Sequence, residues 1–119
     1  MTGSERLAGG ELNAAITREV VRILTASLGR GPKKASSFHN GSVVVTLMEE
    51  AMTPAERSLA AGGEADEVLR IRRAFQRTLH DELISSLERL TRRRVVAFMS
   101  DNHIDPDLAV EVFVLDRPV

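Results

Sequence analysis

Lys33-Lys34-Ala35-Ser36-Ser37-Phe38-His39-Asn40-Gly41-Ser42-Val43-Val44-Val45-Thr46-Leu47-Met48 is the stretch that decides the fold. Asn40-Gly41 stands between two extended runs. That dipeptide is a strong short-range hairpin signal, because a type I′ turn needs positive φ at both central residues. A two-residue loop at Asn40-Gly41 sets His39 opposite Ser42, Phe38 opposite Val43 and Ser36 opposite Val45. One face then collects Phe38, Val43, Val45 and Leu47, and this face is expected to be the core. Val44 and Met48 point the other way. That second face is less polar than full solvent exposure favours.

Upstream, Leu12, Ile16, Val20, Ile23, Leu24 and Leu28 recur at steps of three and four, which gives one apolar helical stripe. Asn13 is a candidate cap near its start. Gly29 and Gly31 accept left-handed backbone angles and Pro32 cannot continue a helix, so the stop is expected here. Downstream, Thr53-Pro54-Ala55-Glu56 combines a cap, a proline at the first helical position and a capping box. Gly62-Gly63 ends that short helix. A long helix is expected from about Ala65 to Leu90, with Val68, Ile71, Phe75, Leu79, Leu83, Leu87 and Leu90 on its stripe. At ~1.5 Å per residue it would span roughly 39 Å, longer than a small sheet needs. The excess predicts a homodimer in which one helix end packs on a partner.

Two more strands follow, Arg94 to Asp101 and Leu108 to Asp116. In the last one Leu108, Val110, Val112 and Val114 share one face, and Ala109, Glu111, Phe113 and Leu115 share the other. The order α-β-β-α-α-β-β predicts an α+β fold. Two β-hairpins would form a four-stranded, mainly antiparallel sheet with two or three helices on one face. The chain has 119 residues, enough for one domain, read here as 11–119 behind a flexible N-terminal arm, 1–10.

Composition removes several function classes. Net charge is −1, so no global field draws nucleic acid or an anionic membrane. Cysteine is absent, which excludes disulfides, thiolate metal sites and a cysteine nucleophile. No apolar run reaches the ~18 residues of a spanning helix, and the first ten residues lack a signal-peptide core. The default location is the cytoplasm, with no direct insertion into a membrane.

Gly29-Arg30-Gly31-Pro32-Lys33-Lys34 has the wrong spacing for a phosphate loop and follows a helix, where the dipole repels anions. It is a helix stop that offers Arg30, Lys33 and Lys34 as a contact for an anion or a partner. Asp101, His103, Asp105 and Asp107 alternate, but counting from Asp101 the glycine and glutamate of a calcium loop are replaced by Pro106 and Val112. A polar turn is the expected reading, with an ion site at His103 and two aspartates as the alternative. His39, His80 and His103 are scattered and no serine sits in a nucleophile elbow. No catalytic residue, cofactor or metal site is assigned. Arg92, Arg93 and Arg94 form a basic knot at the end of the long helix. Cations are favourable there, and the acids nearby can pair with them.

Leu28-Gly29-Arg30-Gly31-Pro32-Lys33, the Val43-Val44-Val45 strand, Met52-Thr53-Pro54-Ala55-Glu56-Arg57, the helix with Arg73 and Phe75, and Val112-Phe113-Val114-Leu115-Asp116 together resemble the MpsC-like family. These are small bacterial proteins named after component C of a sodium-translocating, membrane-potential-generating system. The similarity spans roughly residues 11 to 116. It implies an accessory protein linked to a membrane cation or inorganic-carbon transport complex, without catalytic residues to carry over. The expected function is therefore a non-enzymatic interaction or regulatory protein. A small-ligand or anion sensor is the first alternative. Nucleic-acid binding through Arg92–Arg94 is the second.

Overall fold

The structure, a computed structural model, describes residues 7–119. Helix α1 (Gly9–Leu28) leads into strands β1 (Lys34–Asn40) and β2 (Val43–Glu49). Helices α2 (Pro54–Ala61) and α3 (Ala65–Thr91) follow, then strands β3 (Val95–His103) and β4 (Leu108–Leu115). The four strands form one sheet in the order β1-β2-β4-β3, antiparallel throughout. The α+β arrangement and its element order match expectation. Residues 1–6 of the expected arm lie outside the described residues. Gly9 and Gly10 belong to α1, and Leu7 packs against the core. Asn13 does not cap α1; the helix starts earlier, after Ala8.

The hairpin differs from expectation in register and in the face it buries. Asn40 pairs with Val43, His39 with Val44 and Phe38 with Val45. The turn is therefore Gly41-Ser42 rather than Asn40-Gly41. Only Gly41 has positive φ, at 60°, which fits glycine at the first central position of a type II′ turn. The expected core face is the open one. Phe38 is 53% exposed and Val43 39%, whereas Val44 and Met48 are fully buried. The reason lies above the sheet. Helix α1 crosses β1 and β2 on the side of Ala35 and Ser37, whose small side chains let it approach. On the same side Phe113 and Phe98 stack with ring centres 4.7 Å apart. The core joins Leu12, Ile16, Val20 and Ile23 of α1 to Leu79, Leu83 and Leu87 of α3 over Val44, Met48, Phe113 and Leu115.

The long helix keeps its expected length, but only its C-terminal part lies against the sheet. Its N-terminal part overhangs and is covered by α2. The overhang lengthens the molecule to 52 × 24 × 22 Å, with a radius of gyration of 14.9 Å. A compact chain of this length would have about 13.5 Å. Ile71 is only half-buried and Phe75 is 38% exposed, so the expected stripe is interrupted there, although Val68 beyond them is fully buried. Arg72 takes its place in the interior. Its guanidinium donates to Glu56 through Nε at 2.9 Å and Nη2 at 2.7 Å, and Nη2 also donates to the Ala51 carbonyl at 2.8 Å. Glu56 completes the expected capping box by accepting from Thr53 N–H at 2.9 Å. One carboxylate thus caps α2 and clamps it to α3.

A buried two-pronged ion pair tolerates its desolvation only while both partners are present. Arg72→Ala is expected to destabilise the fold by about 3–5 kcal/mol in urea titration. Arg70→Ala, which breaks the exposed Arg70–Glu67 pair, is expected to change it by less than ~1 kcal/mol. Equal effects would contradict the clamp.

Candidate functional site

Two features of the sheet are candidates for function, one on each face. The first is the open face. Its side chains fall into four rows running β1, β2, β4, β3. They are Lys34-Glu49-Leu108-His103, Ser36-Leu47-Val110-Asp101, Phe38-Val45-Val112-Met99 and Asn40-Val43-Val114-Ala97. Both central strands are apolar through three successive rows. Among the described residues no helix lies on this side: α1 and α3 pack on the opposite face, and α2 packs on α3. Met99 is 55% exposed at the β3 edge. Contiguous apolar surface of this kind makes the face a candidate contact site.

The second feature is a polar row under the helices. Ser37, Thr46, Glu111 and Ser100 lie side by side across the four strands on the core face. The Thr17 hydroxyl of α1 lies 2.7 Å from Ser37 Oγ, which lies 2.7 Å from Thr46 Oγ1. Ser100 Oγ donates to Glu111 Oε2. Glu111 is fully buried, and its Oε1 has no hydrogen-bond partner among the described residues. Burial raises its pKa to about 7, and the Ser100 hydroxyl offsets this only in part. Glu111 also lines a largely enclosed cavity with Leu24, Leu28, Met48, Phe75 and Gln76. Its free volume of about 20 Å³ admits a single water.

The residues singled out from sequence do not converge. Lys33 and Lys34 pair with Glu50 and Glu49 at 3.8 and 4.0 Å. Arg30 turns back on the Gly31 carbonyl at 3.5 Å and lines the rim of the cavity. Arg92 caps α3 in the left-handed conformation, Arg93 donates to the Pro118 carbonyl, and the Arg94 N–H donates to Asp116. The lysine loop opens β1, level with the end of β3, whereas the arginines precede the start of β3. The two basic groups therefore sit at opposite ends of the sheet and form no common basic surface.

The acidic loop is a structural turn. β3 continues through His103 instead of stopping at Asp101. Asp107 accepts from Met52 N–H at 3.0 Å, and its carbonyl accepts from Glu50 N–H at 2.9 Å. Those bonds tie the β3–β4 turn to the segment entering α2. Among the described residues no group of three or more His, Cys, Asp or Glu side chains could hold a metal ion. His39, read as a solvated or hydrogen-bonded histidine, is half-buried and meets Asn13 Oδ1 at 2.7 Å. Sequence reasoning missed Glu111 as a site residue. Its only signal was a glutamate alternating with apolar residues on the side of the strand that carries Phe113.

Residues 8–117 match the family model described as MpsC: Na+-translocating membrane potential-generating system. No curated protein and no solved structure gives a match. No helix among the described residues is long and apolar enough to cross a membrane.

Two carboxylates give the fold opposite pH limbs. Glu111 is held near 7, so its neutral form stabilises the fold fully below about pH 4.5, and this contribution fades as pH rises through 7. Glu19 is lowered to about 2, chiefly by Arg22, with Ser86 and Arg89 of α3 adding hydrogen bonds. Its contribution is present above the ordinary 4.5 and fades as pH falls towards 2. Between pH 4.5 and 8, at one fixed protein concentration, unfolding free energy is expected to fall by up to about 3 kcal/mol. Glu111→Gln should flatten that limb and leave the acid limb intact. An unchanged slope in Glu111→Gln would contradict the assignment.

Proposed function

Because the chain belongs to the MpsC family, we propose that it works as a non-enzymatic docking component of a membrane-potential-generating system. The open sheet face carries this reading. Phe38, Val43, Val45, Leu47, Val110, Val112, Val114 and Met99 make one uncharged apolar surface beside a core already closed by α1 and α3. Exposing so many apolar side chains is unfavourable unless a partner covers them. The family description names a sodium-translocating system, and a subunit that attaches by one face suits an accessory role in such a system.

A second reading, a small-ligand sensor, has its own observation: the unpartnered Glu111 oxygen beside the cavity rimmed by Arg30. Thermal shifts with anions, nucleotides and divalent metals distinguish the two. A shift lost in Glu111→Gln would favour the sensor.

The docking reading is tested by complementation of a strain deleted for its own copy, with membrane potential read by a voltage-sensitive dye. Phe38→Ser combined with Met99→Ser removes apolar area only from exposed edge positions. The double variant is expected to keep its circular dichroism and lose most of its complementing activity. Full complementation would contradict docking through this face.

A further inference from the structure

We propose that the open sheet face is covered by the same face of a second copy, so that two sheets pack face to face beneath outer layers of helices. The inference rests on the docking reading and commits it to one occupant.

Size is the first argument. Four strands ~4.8 Å apart and four rows ~6.7 Å apart give a footprint of roughly 19 × 27 Å, about 500 Å² before side-chain relief is counted. Relief brings the accessible area towards the ~800 Å² per partner that a stable complex buries. A single docked helix, about 10 Å across, would leave much of this surface in water.

Shape is the second. Val43, Val45, Val110, Val112 and Val114 present branched, short side chains across the two central strands. Such a surface is flat and suits another sheet, the aligned packing found in sandwiches. The two large edge side chains, Phe38 on β1 and Met99 on β3, share one row, so that β1 laid over a partner's β3 sets Phe38 against Met99 at each edge.

Charge is the third. The Phe38 and Asn40 rows carry no charged group. The charges lie in the two rows at the other end, with Lys34 on the β1 edge and Asp101 on the β3 edge. A twofold axis parallel to the strands lays β1 over the partner's β3. It then sets Lys34 of each copy over His103 of the other, one row from its Asp101. A membrane-binding face would instead carry a cationic rim; this rim mixes Lys34, Glu49 and Asp101.

Sedimentation equilibrium of the full chain at micromolar concentration tests the proposal. The native chain is expected to sediment as a dimer. Met99→Lys, at an exposed edge position, should weaken association at least about thirty-fold with unchanged circular dichroism. Phe75→Ser, on the α3 overhang, should leave the dimer intact. Lys34→Asp and Asp101→Lys should each weaken it, and the double reversal should recover part of the loss. A dimer broken by Phe75→Ser and indifferent to Met99→Lys would place the interface on the helices and overturn the proposal. Absence of recovery in the double reversal would overturn the parallel axis. A native monomer would overturn the second copy as occupant. If the Phe38→Ser, Met99→Ser variant of that monomer also failed to complement, docking on a different protein would stand; if it complemented, both readings would fall.

Discussion

One helix layer must serve a sheet that is apolar on both sides, and this constraint governs the molecule. Side chains alternate along a strand, so every strand here supplies apolar groups to two faces. Helices α1 and α3 cover the face of Val44, Met48, Phe113 and Leu115. Among the described residues no helix covers the face of Val43, Val45, Val110 and Val112. On the two central strands the covered face is the less uniformly apolar of the two. It contains Ala35, Ser37, Thr46, Ala109, Ser100 and Glu111, small or polar residues among the large ones. Small residues let the helix backbone approach, while rows of valine give the smooth surface that sheets prefer. The selection of faces follows how each packs as well as how much oil it carries.

Charges inside the fold obey the same logic of completed or interrupted pairing. Glu56 is buried with Arg72 on two hydrogen bonds and also serves the N-terminus of α2, so its carboxylate is fully engaged. Glu111 has one engaged oxygen and one without a partner among the described residues, and burial raises its pKa towards neutrality. The first arrangement locks the overhanging end of α3 to α2. The second places a protonatable group in mid-sheet on β4, on the face covered by the helices.

Most of the architecture was legible in the sequence. Periodicity gave α1 and α3, and Thr53-Pro54-Ala55-Glu56 gave α2 with its capping box. Gly29, in the left-handed conformation, ends α1 as expected. The hairpin itself was legible from Asn40-Gly41, but its register was not, because Gly41-Ser42 forms an equally short turn. The choice of buried face was not legible either. Both faces of β2 are apolar, and only the approach of α1 over Ala35 and Ser37 separates them. The burial of Arg72 was not legible, because its partner Glu56 lies sixteen residues away on another helix. The open face followed from strand alternation only once the sheet order β1-β2-β4-β3 aligned the valines of β2 with those of β4.

In the proposed dimer, valine side chains of one sheet touch those of an identical sheet. Intermolecular nuclear Overhauser effects report this contact directly, using a sample mixed from methyl-labelled and unlabelled chains. Methyl groups of Val45, Val110 and Val112 should show cross-peaks to the unlabelled copy. Cross-peaks confined to Ile71 and Leu59 of the overhang, or none at a concentration where the chain is associated, would contradict it.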